Sequence, residues 1–302
     1  MTKKVIIDTD IGSDIDDAMA LALAIKSFEI EIKGITTVYG DVDLRARLAK
    51  KLLDLGDCPN IGVYAGIEKP LLRERDVWMA GHEGDGVLDE GEIISYESQH
   101  AVDFIIDTIM NAPGEVTLIP IGPLTNIATA IIREPRIADN VKEIILMGGV
   151  TRLSKDSLHL PITEHNIHSD PEAASVVFNS SAAITMVGVD VTHQVTIGRE
   201  HQRQLENSTP LNNAIAKQME KWFDFIEEDI TLMHDPLTVS LLLDRNLVKT
   251  AKGTISVIYD HRHPTGQTLF TLDQAGNVEV CLEVESEQFL NLLMHKLLDG
   301  NN

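Results

Sequence analysis

The chain has 302 residues, 43% of them hydrophobic, and carries 47 acidic against 25 basic side chains for a formal net charge of −22. This length can bury the core of a large α/β domain, and the charge disfavours DNA, RNA or anionic lipid as a partner. No apolar run approaches the roughly 18–20 residues that cross a bilayer, and two cysteines, Cys58 and Cys281, are too few for a disulfide framework.

Met1-Thr2-Lys3-Lys4 leads directly into Val5-Ile6-Ile7 without the longer apolar stretch of a signal peptide, so a cytoplasmic protein is expected. Val5-Ile6-Ile7 reads as a buried strand, followed by an acidic loop and a helix from Asp17 through Ile25. Residues 30–38 form a second predicted strand, Arg45 to Leu55 a helix, and residues 61–64 a third strand. The basic residues Arg45, Arg47, Lys50 and Lys51 read as the solvated face of that helix. The βαβαβ order implies a mostly parallel, Rossmann-like sheet with helices on both faces. The alternation continues with a helix at 101–110, a strand at 116–120, a helix opening at Pro123 and running through Ile131, and a strand at 141–147. A helix from Pro171 to Phe178 and a strand at 183–189 follow. The C-terminal third is less regular. Residues 209–243 read as mostly helical, 254–259, 267–272 and 278–284 as strands, and a closing helix begins near Ser286. With no linker or repeat, residues 1–302 are expected to form one domain.

The segment Asp8-Thr9-Asp10-Ile11-Gly12-Ser13-Asp14-Ile15-Asp16-Asp17-Ala18 places five aspartates within ten residues, after a buried strand and before a helix. In open α/β sheets this is where ligands bind. Helix capping accounts for two of the five. A hard cation accounts for more, since Ca²⁺ takes 6–8 oxygen ligands. Asp8-Thr9-Asp10 or Asp14-Ile15-Asp16, taken alone, also fits a haloacid-dehalogenase type of Mg²⁺-dependent phosphotransferase. An EF-hand fits less well, because no glutamate stands at the terminal ligand position.

Asp8-Thr9-Asp10-Ile11-Gly12 with Asp16-Asp17-Ala18 resembles the fingerprint of the inosine–uridine-preferring nucleoside hydrolase family. The match extends in one order through Gly34-Ile35-Thr36-Thr37-Val38-Tyr39-Gly40, Gly122-Pro123-Leu124-Thr125-Asn126, Met147-Gly148-Gly149, Glu164-His165-Asn166, Asp170-Pro171-Glu172-Ala173-Ala174, Val189-Asp190-Val191-Thr192 and His234-Asp235-Pro236. The resemblance implies Ca²⁺ held by the side chains of Asp10, Asp17 and Asp235 and by the Ile121 carbonyl, with Asp10 as general base for the metal-bound water. It implies that Asp16, Glu164 and Asn166 hold ribose hydroxyls, that His234 sits near the leaving base, and that His82 lines the same pocket. Met147 joins the substrate-binding set from its motif. A homodimer or homotetramer is also implied.

Three departures stand out. The aspartate spacing is stretched by two residues, leaving Asp14 as an extra carboxylate that competes with Asp16 for the ribose contact. Asp41 stands where many members have asparagine, and can act toward ribose or water as an acceptor only. Leu158 and His165 replace an asparagine and an aromatic residue, which bears on the sugar's 5′ side and the base pocket. The expected activity is hydrolysis of free ribonucleosides. The alternatives are another N-ribosyl compound such as nicotinamide riboside, a Mg²⁺-dependent phosphohydrolase, and a calcium-binding protein without catalysis. A nucleic-acid glycosylase is disfavoured, for it must grip a polyanion.

Overall fold

The alternating pattern produces layers of sheet and helix in the computed structural model, which describes residues 2–89, 91–155, 157–260 and 264–299. The first half runs β1 (Lys3–Thr9), α1 (Asp16–Ile25), β2 (Ile30–Thr37), α2 (Val42–Leu55), β3 (Val63–Ala65), α3 (Ala101–Asn111), β4 (Val116–Pro120), α4 (Thr125–Arg133), α5 (Ile137–Asn140) and β5 (Glu143–Met147). The second half runs α6 (His165–Ser169), α7 (Pro171–Phe178), β6 (Ile184–Val187), α8 (Val189–Thr192), β7 (Thr196–Gly198), α9 (Arg199–Leu205), α10 (Pro210–Ile226), β8 (Ile230–Leu232), α11 (His234–Ser240), β9 (Val248–Val257), β10 (Thr268–Leu272), β11 (Val278–Val284) and α12 (Ser286–Asp299). No helix among the described residues is long and apolar enough to cross a membrane.

The nine-stranded sheet has the order β10-β9-β11-β6-β5-β4-β1-β2-β3. From β3 to β11 neighbouring strands are parallel, while β9 runs antiparallel to both β11 and β10. The parallel strands are buried on both faces, which is why Val5-Ile6-Ile7 and Ile144-Ile145-Leu146 read as unbroken apolar runs. Val5 and Ile7 face one core, shared with α1, α10 and α11, while Ile6 faces the other, shared with α3, α4 and α7. The chain winds outward from β1 through β2 to β3, then returns to β4 on the other side of β1. That reversal opens a crevice at the carboxyl ends of β1 and β4, where open α/β sheets receive ligands.

Several boundaries differ from the sequence reading for local reasons. The stretch 209–243 contains β8 between α10 and α11, because Ile230, Thr231 and Leu232 pair antiparallel with β7. The helix expected from Pro123 starts at Thr125. The strand expected through Val189 ends at Val187, where Gly188 caps α8. The helix expected from Arg45 starts at Val42, because the Asp41 side chain accepts a hydrogen bond from Leu44 N at 2.9 Å and caps it. Beginning there, α2 turns Val42, Arg45, Ala46, Ala49, Leu52 and Leu53 inward. Arg45 is therefore not on a solvated face; it is 1% exposed.

Candidate active site

The site is built where two chain reversals at the carboxyl end of the sheet meet the start of α11. The first joins β1 to α1. Gly12 adopts φ 121°, a conformation that L side chains resist, and lets the chain turn under Leu48 and Glu83. Thr9 Oγ1 donates to the Asp17 carboxylate and accepts from Ile11 N at 3.1 Å. Asp16 Oδ1 accepts from Asp17 N at 3.1 Å, and Asp14 Oδ1 from Asp16 N at 3.3 Å. The buried Arg45 guanidinium holds the loop from behind: it donates to the carbonyls of Asp10, Ile11 (2.9 Å) and Tyr39 (2.6 Å).

The second reversal follows β4. Ile121 N donates to the Asp8 carbonyl at 2.8 Å, which sets its own carbonyl beside the acidic loop. A Cβ on Gly122 would come within 2.7 Å of Asp10 Oδ1, so only glycine allows this approach. The Ile121 carbonyl accepts from Asn166 Nδ2 at 2.9 Å, and among the described residues no second donor meets it. Asn166 lies in α6, a helix that the sequence reading missed. Glu164 caps it, accepting from Asn166 N at 2.7 Å, Ile167 N at 3.1 Å and Gly149 N at 2.8 Å.

The start of α11, which follows β8, completes the site. Asp235 is buried, and its backbone N–H donates to Asp16 Oδ2 at 3.4 Å. His234 Nδ1 lies 2.6 Å from Thr192 Oγ1 at the end of α8.

A cavity of about 230 Å³ lies between these segments. Of the residues expected from the sequence, Asp10, Asp14, Asp16, Asp17, Ile121, Met147, Glu164, Asn166, His234 and Asp235 line it. His165 lines it as well, between the rings of Tyr39 (centroids 5.9 Å apart) and Trp78 (5.8 Å). The sequence reading did not place Ser13 and Thr163, which also line the cavity. Asp41 and His82 are not brought into it. Asp41 caps α2, and His82 packs its ring on Phe225 (4.9 Å) and Trp222 (6.3 Å) beside a small neighbouring cavity that shares Asp14. Leu158 is 87% exposed and is not among the residues that line the cavity. Trp222 donates from Nε1 to Thr231 Oγ1 at 2.8 Å, stacked on Phe225.

Crowded carboxylates dominate the electrostatics. Burial, and then the charges of Asp14 and Asp235, push the Asp16 carboxyl well above the usual range. Burial raises Asp17 and Asp235 in the same way, reinforced by Asp10 and Asp14 for Asp17 and by Asp17 and Asp14 for Asp235. Asp10 is raised by burial, against the pull of Arg45 and His165. Behind them, burial pushes Asp8 up to about 7 although Asn126 and Thr36 donate to it. The His234 imidazole is pushed down to about 4 by burial. An acidic cluster of this kind is stable when neutralised, and the donor set (carboxylates plus the Ile121 carbonyl) suits a hard divalent cation. Oxygens of Asp14, Asp16 and Asp17 lie within 4.8 Å of one another and could grip such an ion. This trio differs from the implied set of Asp10, Asp17 and Asp235. Asp17 is common to both, and Asp10 and Asp235 face the same cavity.

Three comparisons bear on this arrangement. The sequence model of a family described as inosine-uridine preferring nucleoside hydrolase matches residues 5–291. The inosine-uridine preferring nucleoside hydrolase of Leishmania major is 34% identical over 98% of both chains. The pyrimidine-specific ribonucleoside hydrolase RihB of Escherichia coli O157:H7 is 33% identical over 96% of both. The solved structure of a plant nucleoside hydrolase, PpNRh1, superposes with a TM-score of 0.87 at 30% identity, covering 98% of this chain and 99% of that one.

Proposed function

This chain belongs to the inosine-uridine preferring nucleoside hydrolase family and is an N-ribosyl hydrolase; from that premise we propose that it cleaves the N-glycosidic bond of free ribonucleosides, with Ca²⁺ as its metal and Asp10 as general base. The observation that carries this reading is the set of Asp10, Asp16, Asp17 and Asp235, buried and facing one cavity that His234 also lines.

Asp10, Asp17, Asp235 and the Ile121 carbonyl would hold the ion. When bound, Ca²⁺ supplies a charge that makes a neighbouring water more acidic and helps to fix the ribose hydroxyls. Asp10 accepts the proton of the attacking water as general base. As the C1′–N bond opens, the sugar becomes oxocarbenium-like, and Asp14 and Asp16 stabilise that positive charge. Asn166 and Glu164 hold the ribose hydroxyls with the acceptor capacity that their backbone contacts leave over. His234 supplies a donor for the departing base.

Among the described residues no lysine or arginine lines the cavity, so a phosphate group would lack its usual cationic clamp there. This weighs against a phosphohydrolase. The reading takes the enzyme to be a cytoplasmic homo-oligomer with no nucleic-acid partner, and the surplus of acidic residues supports the last point. Relatives at 34% and 33% identity carry different base preferences in their names, so the substrate panel must span both kinds of base.

The test is ribose release from inosine, adenosine, uridine, cytidine and nicotinamide riboside, with and without chelator. Release from at least one ribonucleoside is expected, with loss on chelation, recovery with Ca²⁺ and a drop of roughly 1,000-fold in Asp10→Ala. Silence on every ribonucleoside, with cleavage of p-nitrophenyl phosphate in Mg²⁺, would overturn the reading.

A further inference from the structure

His234 lines the cavity, and a single neighbour meets its ring nitrogens among the described residues. An imidazole with one proton is a donor at one nitrogen and an acceptor at the other, so the partner of one nitrogen decides the role of the other. His234 Nδ1 lies 2.6 Å from Thr192 Oγ1, while among the described residues no hydrogen bond reaches Nε2. Thr192 is fully buried, and the His234 ring is the one hydrogen-bond partner of its hydroxyl among the described residues. A buried hydroxyl that fails to donate its proton carries a desolvation cost. The acceptor within its reach is Nδ1, so the hydroxyl donates there and the ring proton resides on Nε2.

The support for Thr192 is rigid. It ends α8, in which Asp190 accepts hydrogen bonds from Thr151 N at 2.6 Å, Thr151 Oγ1 at 3.0 Å and Leu153 N at 3.0 Å. Thr192 N in turn donates to the Gly188 carbonyl at 3.2 Å. The hydroxyl thus approaches His234 from a fixed direction.

We infer that Thr192 is a positioning residue for the reaction: its hydroxyl locks His234 in the tautomer that carries hydrogen on Nε2 and holds that N–H ready for the nitrogen of the leaving base. This rests on the ribonucleoside-hydrolase reading above. In the step it serves, the C1′–N bond breaks and its electron pair passes to the base nitrogen. Nε2–H donates a hydrogen bond to that nitrogen and keeps its proton. Water forms the C1′–O bond and yields a proton to Asp10, which returns it to solvent; the base takes up a proton from solvent as it departs.

Two measurements test the inference. The first compares wild type, Thr192→Val and Thr192→Ser on inosine, uridine and p-nitrophenyl β-ribofuranoside, whose phenolate departs without a donor. In Thr192→Val, kcat on the ribonucleosides is expected to fall roughly 10- to 100-fold with KM little changed, while the loss on the nitrophenyl substrate stays below about threefold. Thr192→Ser should restore most of the rate. Equal losses on both kinds of substrate mean a purely structural role and overturn the inference, as does an undiminished rate on ribonucleosides. The second measurement does not depend on activity: ¹⁵N spectra of the imidazole rings, with His234→Gln to assign the signal. Hydrogen on Nε2 in wild type, with the preference lost in Thr192→Val, supports the inference even if the substrate reading fails. Hydrogen on Nδ1 in wild type overturns it even if ribose is released.

Discussion

Two groups of buried carboxylates share this fold and behave in opposite ways. Asp170 sits between α6 and α7 and is met by donors: Thr125 Oγ1 at 2.6 Å, Leu71 N at 2.8 Å and Ala173 N at 3.0 Å. Burial raises its pKa, and those three hydrogen bonds pull it back. Asp10 and Asp235 are buried too, yet the described residues offer their carboxylates no donor from another residue; they face Asp14, Asp16 and Asp17 instead. A buried acid surrounded by donors ties loops together. Buried acids surrounded by acids raise the energy of the metal-free protein and leave a place for a cation.

The largest effect that can break this contrast is at Arg45, the one buried arginine or lysine among the described residues. Arg45→Met removes the charge that tempers Asp10 and orphans the carbonyls of Asp10, Ile11 and Tyr39. A loss of about 3–5 kcal/mol in urea unfolding is expected, as for other buried charges deprived of a partner, and Ca²⁺ should recover part of it. A loss below about 1 kcal/mol would mean that the acidic loop holds its shape without this support.

A smaller effect sharpens the comparison directly. Asp170→Asn presents an amide N–H₂ where backbone donors already point, and should cost about 1–3 kcal/mol with the metal response intact. Asp235→Asn should do the reverse. It relieves like-charge crowding, so the metal-free protein becomes more stable by about 1 kcal/mol. It should also abolish the Ca²⁺ stabilisation, which in wild type reaches about 2.7 kcal/mol at a hundredfold excess over Kd. If Asp235→Asn destabilised the metal-free protein as Asp170→Asn does, Asp235 would belong with the donor-satisfied acids.

The contrast was only half legible in the sequence. The apolar runs placed the parallel strands, and five aspartates at a strand-to-helix turn located the site, because both signals are local. Arg45 was hidden by a boundary: a helix drawn from residue 45 exposes it, whereas the same helix begun at Val42 under the Asp41 cap turns it inward. That cap was readable, since aspartate before an apolar-periodic stretch is a helix start signal. Thr192 stood in the matched segment Val189-Asp190-Val191-Thr192, but its role was not legible, for its partner is 42 residues away. The Gly-rich segment around His82 gave no indication that its ring would rest on Phe225 rather than in the cavity.

The last test of the contrast is the pH dependence of the metal-free protein. Asp8 titrates near 7 in the fold and about 3.9 when unfolded, and Asp10, Asp16, Asp17 and Asp235 are shifted in the same direction. Between those limits the native state holds protons that the unfolded chain has released, so stability falls as pH rises. Each such proton contributes a slope of about 1.4 kcal/mol per pH unit, complete for Asp8 once the pH passes its folded value. Thermal unfolding in chelator should therefore show stability decreasing from pH 5 to pH 7, with a shallower slope in Asp235→Asn. Saturating Ca²⁺ should flatten the profile, because an ion on the carboxylates stabilises their charged form and competes with protons. Metal-free stability that instead rose over this window would mean that the carboxylates are already ionised and satisfied without a cation, and the two groups of buried acids would then be alike.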